Sequence, residues 1–133
     1  MLKTSGLTAC VGRPTGCAVK FNNGLTACPS GDTGITAEQK TVVVDHYKVQ
    51  RVVMTIGDMF TAGPRKAAYF VNELIKPAFV TASHVDKLAT NNGTVKPGTR
   101  TASFMKSANM PAHVPHGGRT MAFDAGGKCA GGC

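Results

Sequence analysis

Tryptophan is absent from these 133 residues, and six phenylalanines with two tyrosines are the only large aromatics. A core must therefore be packed mainly from alanine, valine and threonine, which suits thin, extended elements. Acidic residues are also scarce, seven against fifteen lysines and arginines, for a formal charge of +8. No run approaches the ~20 apolar residues of a membrane span. Met1-Leu2-Lys3-Thr4-Ser5-Gly6 is not followed by an apolar stretch, so no signal peptide is expected. The expectation is a soluble chain, in a virion or the cytoplasm, with no membrane partner.

Familiar chemical signatures are missing too. There is no Gly-x-Ser-x-Gly elbow, phosphate loop or dinucleotide fingerprint. Gly12-Arg13-Pro14-Thr15-Gly16 followed by Lys20 has the wrong spacing for a phosphate loop, and Pro14 removes a backbone donor. Asp45, Asp58, Glu73 and Asp86 are scattered, each with a base nearby in sequence, and read as surface charge. The expectation is no catalytic residue and no enzyme.

What is present centres on residues 36–90, taken as the core between an N-terminal arm (1–35) and a basic C-terminal arm (91–133). The expected fold class is α+β: a small, mainly-β body with one clear amphipathic helix at 64–76, a short second helix at 84–90, and extended Gly/Thr-rich arms. In the first helix Pro64 suits the opening turn, and Ala67, Phe70, Val71, Leu74 and Ile75 form an apolar stripe. Ser83-His84-Val85-Asp86 resembles a capping box and would start the second helix. For 37–58 two templates compete. Thr36-Ala37-Glu38-Gln39 is a capping box that would start a helix, whereas consecutive valines at 42–44 and 52–53 favour strands at 41–49 and 51–56. Strands are preferred. Thr99 to Met105 reads as an edge strand, 79–81 as a short strand and 120–123 as a last one.

The N-terminal arm repeats itself: Gly6-Leu7-Thr8-Ala9-Cys10 recurs as Gly24-Leu25-Thr26-Ala27-Cys28. Two copies are too few for a solenoid, and they read as two similar extended segments, each ended by a turn. Pro29-Ser30-Gly31-Asp32 is one such turn.

The five cysteines avoid the middle of the chain. Cys10, Cys17, Cys28, Cys129 and Cys133 are cross-link or disulfide candidates, with plain reduced thiols the competing reading. A third reading is metal. His113-x2-His116-x12-Cys129-x3-Cys133 has the ligand types and close pair spacings of a tetrahedral zinc site, so zinc is the one cofactor the sequence admits. Otherwise His113 and His116 are loop histidines, and His46 and His84 are partly buried structural residues.

Charge is uneven: +3 over residues 1–31, +1 over the middle and +4 over 90–133. Lys96, Arg100, Lys106, Arg119 and Lys128 are the candidate phosphate contacts, in salt-sensitive and largely non-specific binding. Long polar arms, terminal cysteines and no catalytic constellation point to a structural, self-assembling protein. A viral or phage coat or minor capsid protein fits best, its partners being other copies or assembly subunits and packaged nucleic acid. The alternative is a small basic nucleic-acid-binding module, zinc-stabilised, of the ribosome-associated type.

Overall fold

The structure, a computed structural model, describes residues 2–4, 7–9, 14–59, 61–86 and 88–133. Cys10, and with it part of the first Gly-Leu-Thr-Ala-Cys copy, lies outside the described residues. Strands β1 (Leu2–Thr4) and β2 (Leu7–Ala9) pair antiparallel.

The body is a five-stranded, mostly parallel sheet crossed by three helices. Its strands are β3 (Val19–Lys20), β4 (Thr26–Pro29), β5 (Arg51–Thr55), β6 (Phe79–Ser83) and, at the far edge, β9 (Ala112–His113), in the order β3-β4-β5-β6-β9. Only β3 runs antiparallel to its neighbour; β4, β5, β6 and β9 are parallel. Parallel neighbours need long crossovers. These are α1 (Gln39–His46) between β4 and β5, α2 (Pro64–Tyr69, continuing through Phe70–Ile75) between β5 and β6, and α3 (Arg100–Ser107) between β6 and β9. Helix α1 and the second half of α2 have wide, π-type turns.

Strands buried on both faces read as continuous apolar runs. In β5 and β6 the register sets Val52 beside Val80 and Met54 beside Ala82, all fully buried. Phe70, Val71 and Ile75 of α2 and Phe104 of α3 complete the same cluster. Each such side chain contributes ~1.5–3 kcal/mol on leaving water. Helix α2 matches its expected stripe: Pro64 opens it, Ala67, Phe70, Val71 and Ile75 are buried, and Lys76 closes it in the left-handed conformation before Pro77.

Three expectations are corrected. Residues 39–46 are helical, not a strand; only 51–55 is extended. The Gln39 carboxamide accepts from Thr36 N–H at 3.0 Å and donates to the Gly34 carbonyl at 2.8 Å, so the capping signal prevails. The demand for a crossover between parallel β4 and β5 outweighs the strand propensity of the valines. Second, the described residues of 84–90 form no helix. His84 stands at φ 55°, outside helical space, and Asp86 Oδ1 takes the Leu88 N–H in a local turn. Asn92 and Gly93, both at positive φ, then join β7 (Thr90–Asn91) to β8 (Thr94–Val95) as a tight hairpin. Third, 99–105 is the start of α3. Thr99 Oγ1 accepts from Ala102 N–H at 3.1 Å as an N-cap, and Thr101 and Phe104 turn one face inward.

The fold is thus mixed α/β around a mostly parallel sheet, not a mainly-β body. Segments expected to be extended arms supply β3 and β4 on one side and α3 and β9 on the other. The expected strands at 79–81 and 120–123 exist as β6 and as β10 (Ala122–Phe123), which pairs with β11 (Cys129–Gly131). Among the described residues no helix is long and apolar enough to cross a membrane.

Candidate metal centre

In an open parallel sheet, ligands bind beyond the carboxyl ends of the strands. Here the residues just past β4, β5 and β6 are Ser30-Gly31-Asp32, Ile56-Gly57-Asp58 and His84. Each of the three turns is built to project a polar side chain.

Ser30 continues the parallel ladder by donating its N–H to the Val53 carbonyl at 2.9 Å. Its buried hydroxyl accepts from Thr55 N–H at 3.2 Å, while Thr55 Oγ1 donates to the Gly31 carbonyl at 3.1 Å. Thr33 Oγ1 closes the turn on the Ser30 carbonyl at 2.8 Å. Gly31 sits at φ 60° with its α-carbon against the Thr15 carbonyl, where a Cβ has no room. The turn that carries Asp32 is therefore held by a buried hydroxyl network.

After β5, Ile56 N–H still bonds the Ser83 carbonyl at 3.0 Å, and Gly57 N–H donates to Thr61 Oγ1 at 3.0 Å. Arg100 Nη1 reaches from α3 to the Gly57 carbonyl at 2.8 Å. Asp58 is left-handed at φ 74°, and its carboxylate occupies the space that a side chain on residue 63 would fill. Non-glycine residues in that region cluster at functional sites, where surrounding structure over-determines them. His84 is another, and it follows β6 directly.

These turns converge. His84 Nε2 lies 3.3 Å from Asp32 Oδ1, with both side chains about half exposed. Two donors at ~2.0–2.2 Å from one tetrahedral zinc stand roughly 3.3 Å apart, so the pair has the chemistry and spacing of two ligands of one ion. Among the described residues no third His, Cys, Asp or Glu joins them in a metal-holding group. A cleft of about 470 Å³ opens beside the Ser30–Thr33 turn, lined also by Cys17, Gln39 and Tyr47.

The residues singled out from sequence fall elsewhere. Lys106, Arg119 and Lys128 are exposed and Lys96 half-buried on separate elements; of the five basic candidates only Arg100 touches the site, through Gly57. Cys129 and Cys133 form a disulfide with each other, so the two ends of the chain are not tied. Cys17 is free and exposed; Cys28 is free and buried, its thiol pushed up to about 11, chiefly by desolvation and then by Cys17. His113 and His116 face each other with ring centres 6.0 Å apart. Burial, and next the neighbouring His116, lowers the pKa of His113. From sequence His84 reads as a partly buried structural residue and Asp32 as part of a turn; the structure brings the two side chains together, both about half exposed. A signal was available: Gly-Asp occurs twice, at 31–32 and 57–58, each time at the end of a strand.

No protein-family model matches the chain. Its relatives are consistent with one another. It is 30% identical over 112 residues to a UPF0173 metal-dependent hydrolase of Polynucleobacter asymbioticus, covering 84% of this chain and 38% of that protein. It is 35% identical over 83 residues to another of Polaromonas, covering 62% and 30%. The chain thus spans about a third of the length of the curated relatives it matches. Among solved structures, a metallo hydrolase of Ignicoccus hospitalis superposes with a TM-score of 0.53 at 20% identity, over 71% of this chain and 40% of that one. A candidate Zn-dependent hydrolase of the metallo-β-lactamase superfamily from Thermotoga maritima gives 0.53 at 15% identity, over 73% and 55%. The fold is similar to the metallo-β-lactamase fold.

These findings overturn the coat-protein and self-assembly reading, its nucleic-acid-binding alternative, and the expectation of no enzyme. The relatives are hydrolases, and they are metal-dependent, which also counts against the absence of a cofactor.

Proposed function

We propose that this chain carries part of the active site of a metal-dependent hydrolase, with Asp32 and His84 as two ligands of its metal. The observation that carries the reading is the 3.3 Å approach of His84 Nε2 to Asp32 Oδ1 beyond the carboxyl ends of β4 and β6. The hydrolase names of the relatives and the similarity of fold support it. Zinc is the ion that a carboxylate-and-imidazole set suits. Two donors do not close such a site, so further ligands come from residues outside this pair.

Asp32 and His84 would hold a zinc ion there, which would supply Lewis acidity and a water made acidic enough to ionise near neutral pH. The chain's own residues prepare the site. The Ser30–Thr55–Gly31 network fixes the Asp32 turn, so the carboxylate loses little freedom on binding. Arg100 ties α3 to the Gly57 carbonyl and keeps the Asp58 turn at the same sheet end. Asp58, confined against Gly63, presents a second carboxylate there, suited to orienting a ligand or water.

Zinc affinity of the whole chain tests this, by competition with a chromogenic chelator. Asp32→Asn and His84→Ala each lower it on the order of 10- to 100-fold, while Glu73→Gln, exposed on α2, leaves it unchanged. Equal affinity in the wild-type chain, Asp32→Asn and His84→Ala would refute the assignment.

A further inference from the structure

A second group of metal-binding side chains lies apart from the strand-end turns. His113 ends β9, and His116 follows it across Pro115. Both line an open cavity of about 750 Å³, with Arg119, Cys133 and the Asn92–Thr94 turn. Cys129, on β11, does not itself line the cavity but is joined to Cys133 by the disulfide. The imidazoles stand nearly perpendicular with centres 6.0 Å apart. Two imidazoles on one tetrahedral zinc would have centres roughly 5 Å apart, so the two rings would have to approach by roughly 1 Å. The His116 ring lies over Gly93, where its Nε2 would be 3.8 Å from any Cβ, which leaves it room to turn.

Three of the four residues of the pattern His-x2-His-x12-Cys-x3-Cys thus line one cavity, and the fourth, Cys129, is bonded to the third. While the disulfide is closed, neither sulfur is available as a thiolate, and among the described residues no group of three or more His, Cys, Asp or Glu stands ready to hold a metal ion. We propose that reduction of Cys129–Cys133 creates a tetrahedral zinc site from His113, His116, Cys129 and Cys133, and that zinc and the disulfide are mutually exclusive states of this cavity.

The exchange balances with an external dithiol as reductant. Its thiolate attacks one sulfur of the disulfide, forming a mixed disulfide and releasing the other cysteine. Its second thiol then closes on the first, so the dithiol leaves oxidised and both cysteines are reduced. Zinc then displaces the two thiol protons to solvent and gains two Zn–S and two Zn–N bonds. Removing zinc and exchanging the pair with an oxidised dithiol, which leaves as two thiols, restores the disulfide. Such a site would report or buffer thiol redox state beside, not within, the hydrolase centre.

The test uses cobalt(II) as a spectroscopic stand-in for zinc, on the whole chain. Working in the Asp32→Asn/His84→Ala background separates it from the strand-end site, and only thiolate ligation gives the near-ultraviolet sulfur-to-cobalt band. Protein reduced with dithiothreitol and desalted without oxygen should bind one equivalent with that band; oxidised protein should lack it. Cys129→Ser and His116→Ala should remove or shift the band, and Cys17→Ser should leave it intact. On the reduced wild-type chain, stoichiometric zinc should slow iodoacetamide alkylation of Cys129 and Cys133 by roughly tenfold or more, read by peptide mass. This measurement does not depend on any variant folding. The proposal fails if the band is absent from the reduced chain, or survives in Cys129→Ser/Cys133→Ser. It also fails if zinc leaves alkylation of those two cysteines unchanged.

Discussion

Replacing Gly31 with alanine is the most direct probe of how the Asp32 turn is held, because Gly34, three residues on, is its built-in control. Gly31 stands at φ 60°, and an added Cβ would overlap the Thr15 carbonyl oxygen, a backbone atom with no rotamer to escape into. The left-handed conformation alone costs a non-glycine residue ~1–2 kcal/mol. Displacing the Thr15–Gly16 backbone adds about 1–3 kcal/mol, the usual scale of overpacking. That backbone cannot retreat freely, since a Cβ on Gly16 would itself be 2.8 Å from the Ser30 carbonyl. Gly34, by contrast, has open space and no left-handed backbone. There alanine mainly restricts the unfolded chain and stabilises by ~0.4–1 kcal/mol where its backbone suits. With a urea slope of about 2 kcal/mol/M, Gly31→Ala should lower the unfolding midpoint by ~1–2.5 M, and Gly34→Ala should leave it level or slightly raised. Circular dichroism in urea reads both. Midpoints for the two variants within about 0.3 M of each other would refute the steric account of this turn. In the surviving fold Gly31→Ala should also weaken zinc, since Asp32 follows directly.

Two further outcomes test other parts of the structure. Thr101 is fully buried in α3 and its hydroxyl has no partner, so Thr101→Val should stabilise by ~1 kcal/mol, where Thr101→Ala gains less because it also leaves a methyl-sized gap. A loss of stability in Thr101→Val, measured by thermal melting, would mean the hydroxyl is bonded. Cys28 is the second case. Its folded thiol ionises near 11 against an ordinary 9.0, so the unfolded chain loses that proton first. The stability Cys28 contributes is therefore present below pH 9 and drains away between about 9 and 11. Cys28→Ala should flatten that part of the stability curve. Iodoacetamide at pH 8 should modify Cys17 while sparing Cys28; equal labelling of the two would sink the assignment.

Local sequence was sufficient wherever one element could be specified by its own spacing. Pro64, the Ala67–Ile75 stripe and Pro77 define α2 without reference to anything outside it, because a helix closes its hydrogen bonds within itself. The valine run at 52–53 likewise marks a strand buried on both faces. The His-x2-His and Cys-x3-Cys pairs were visible as a pattern, as was the Gln39 cap.

Tertiary structure decided the rest. Residues 39–46 became helical because parallel β4 and β5 need a crossover, a demand made by the pairing of distant segments and invisible in the valines themselves. Residues 99–107 became a helix once Thr99 could cap it and Phe104 had a core to enter. Asp32 and His84 are 52 positions apart in the chain and come within 3.3 Å only because β4 and β6 flank β5 with their carboxyl ends aligned. Strand order and direction arise from long-range hydrogen bonding and packing, so a site built across three strand ends leaves no spacing in the sequence to be read.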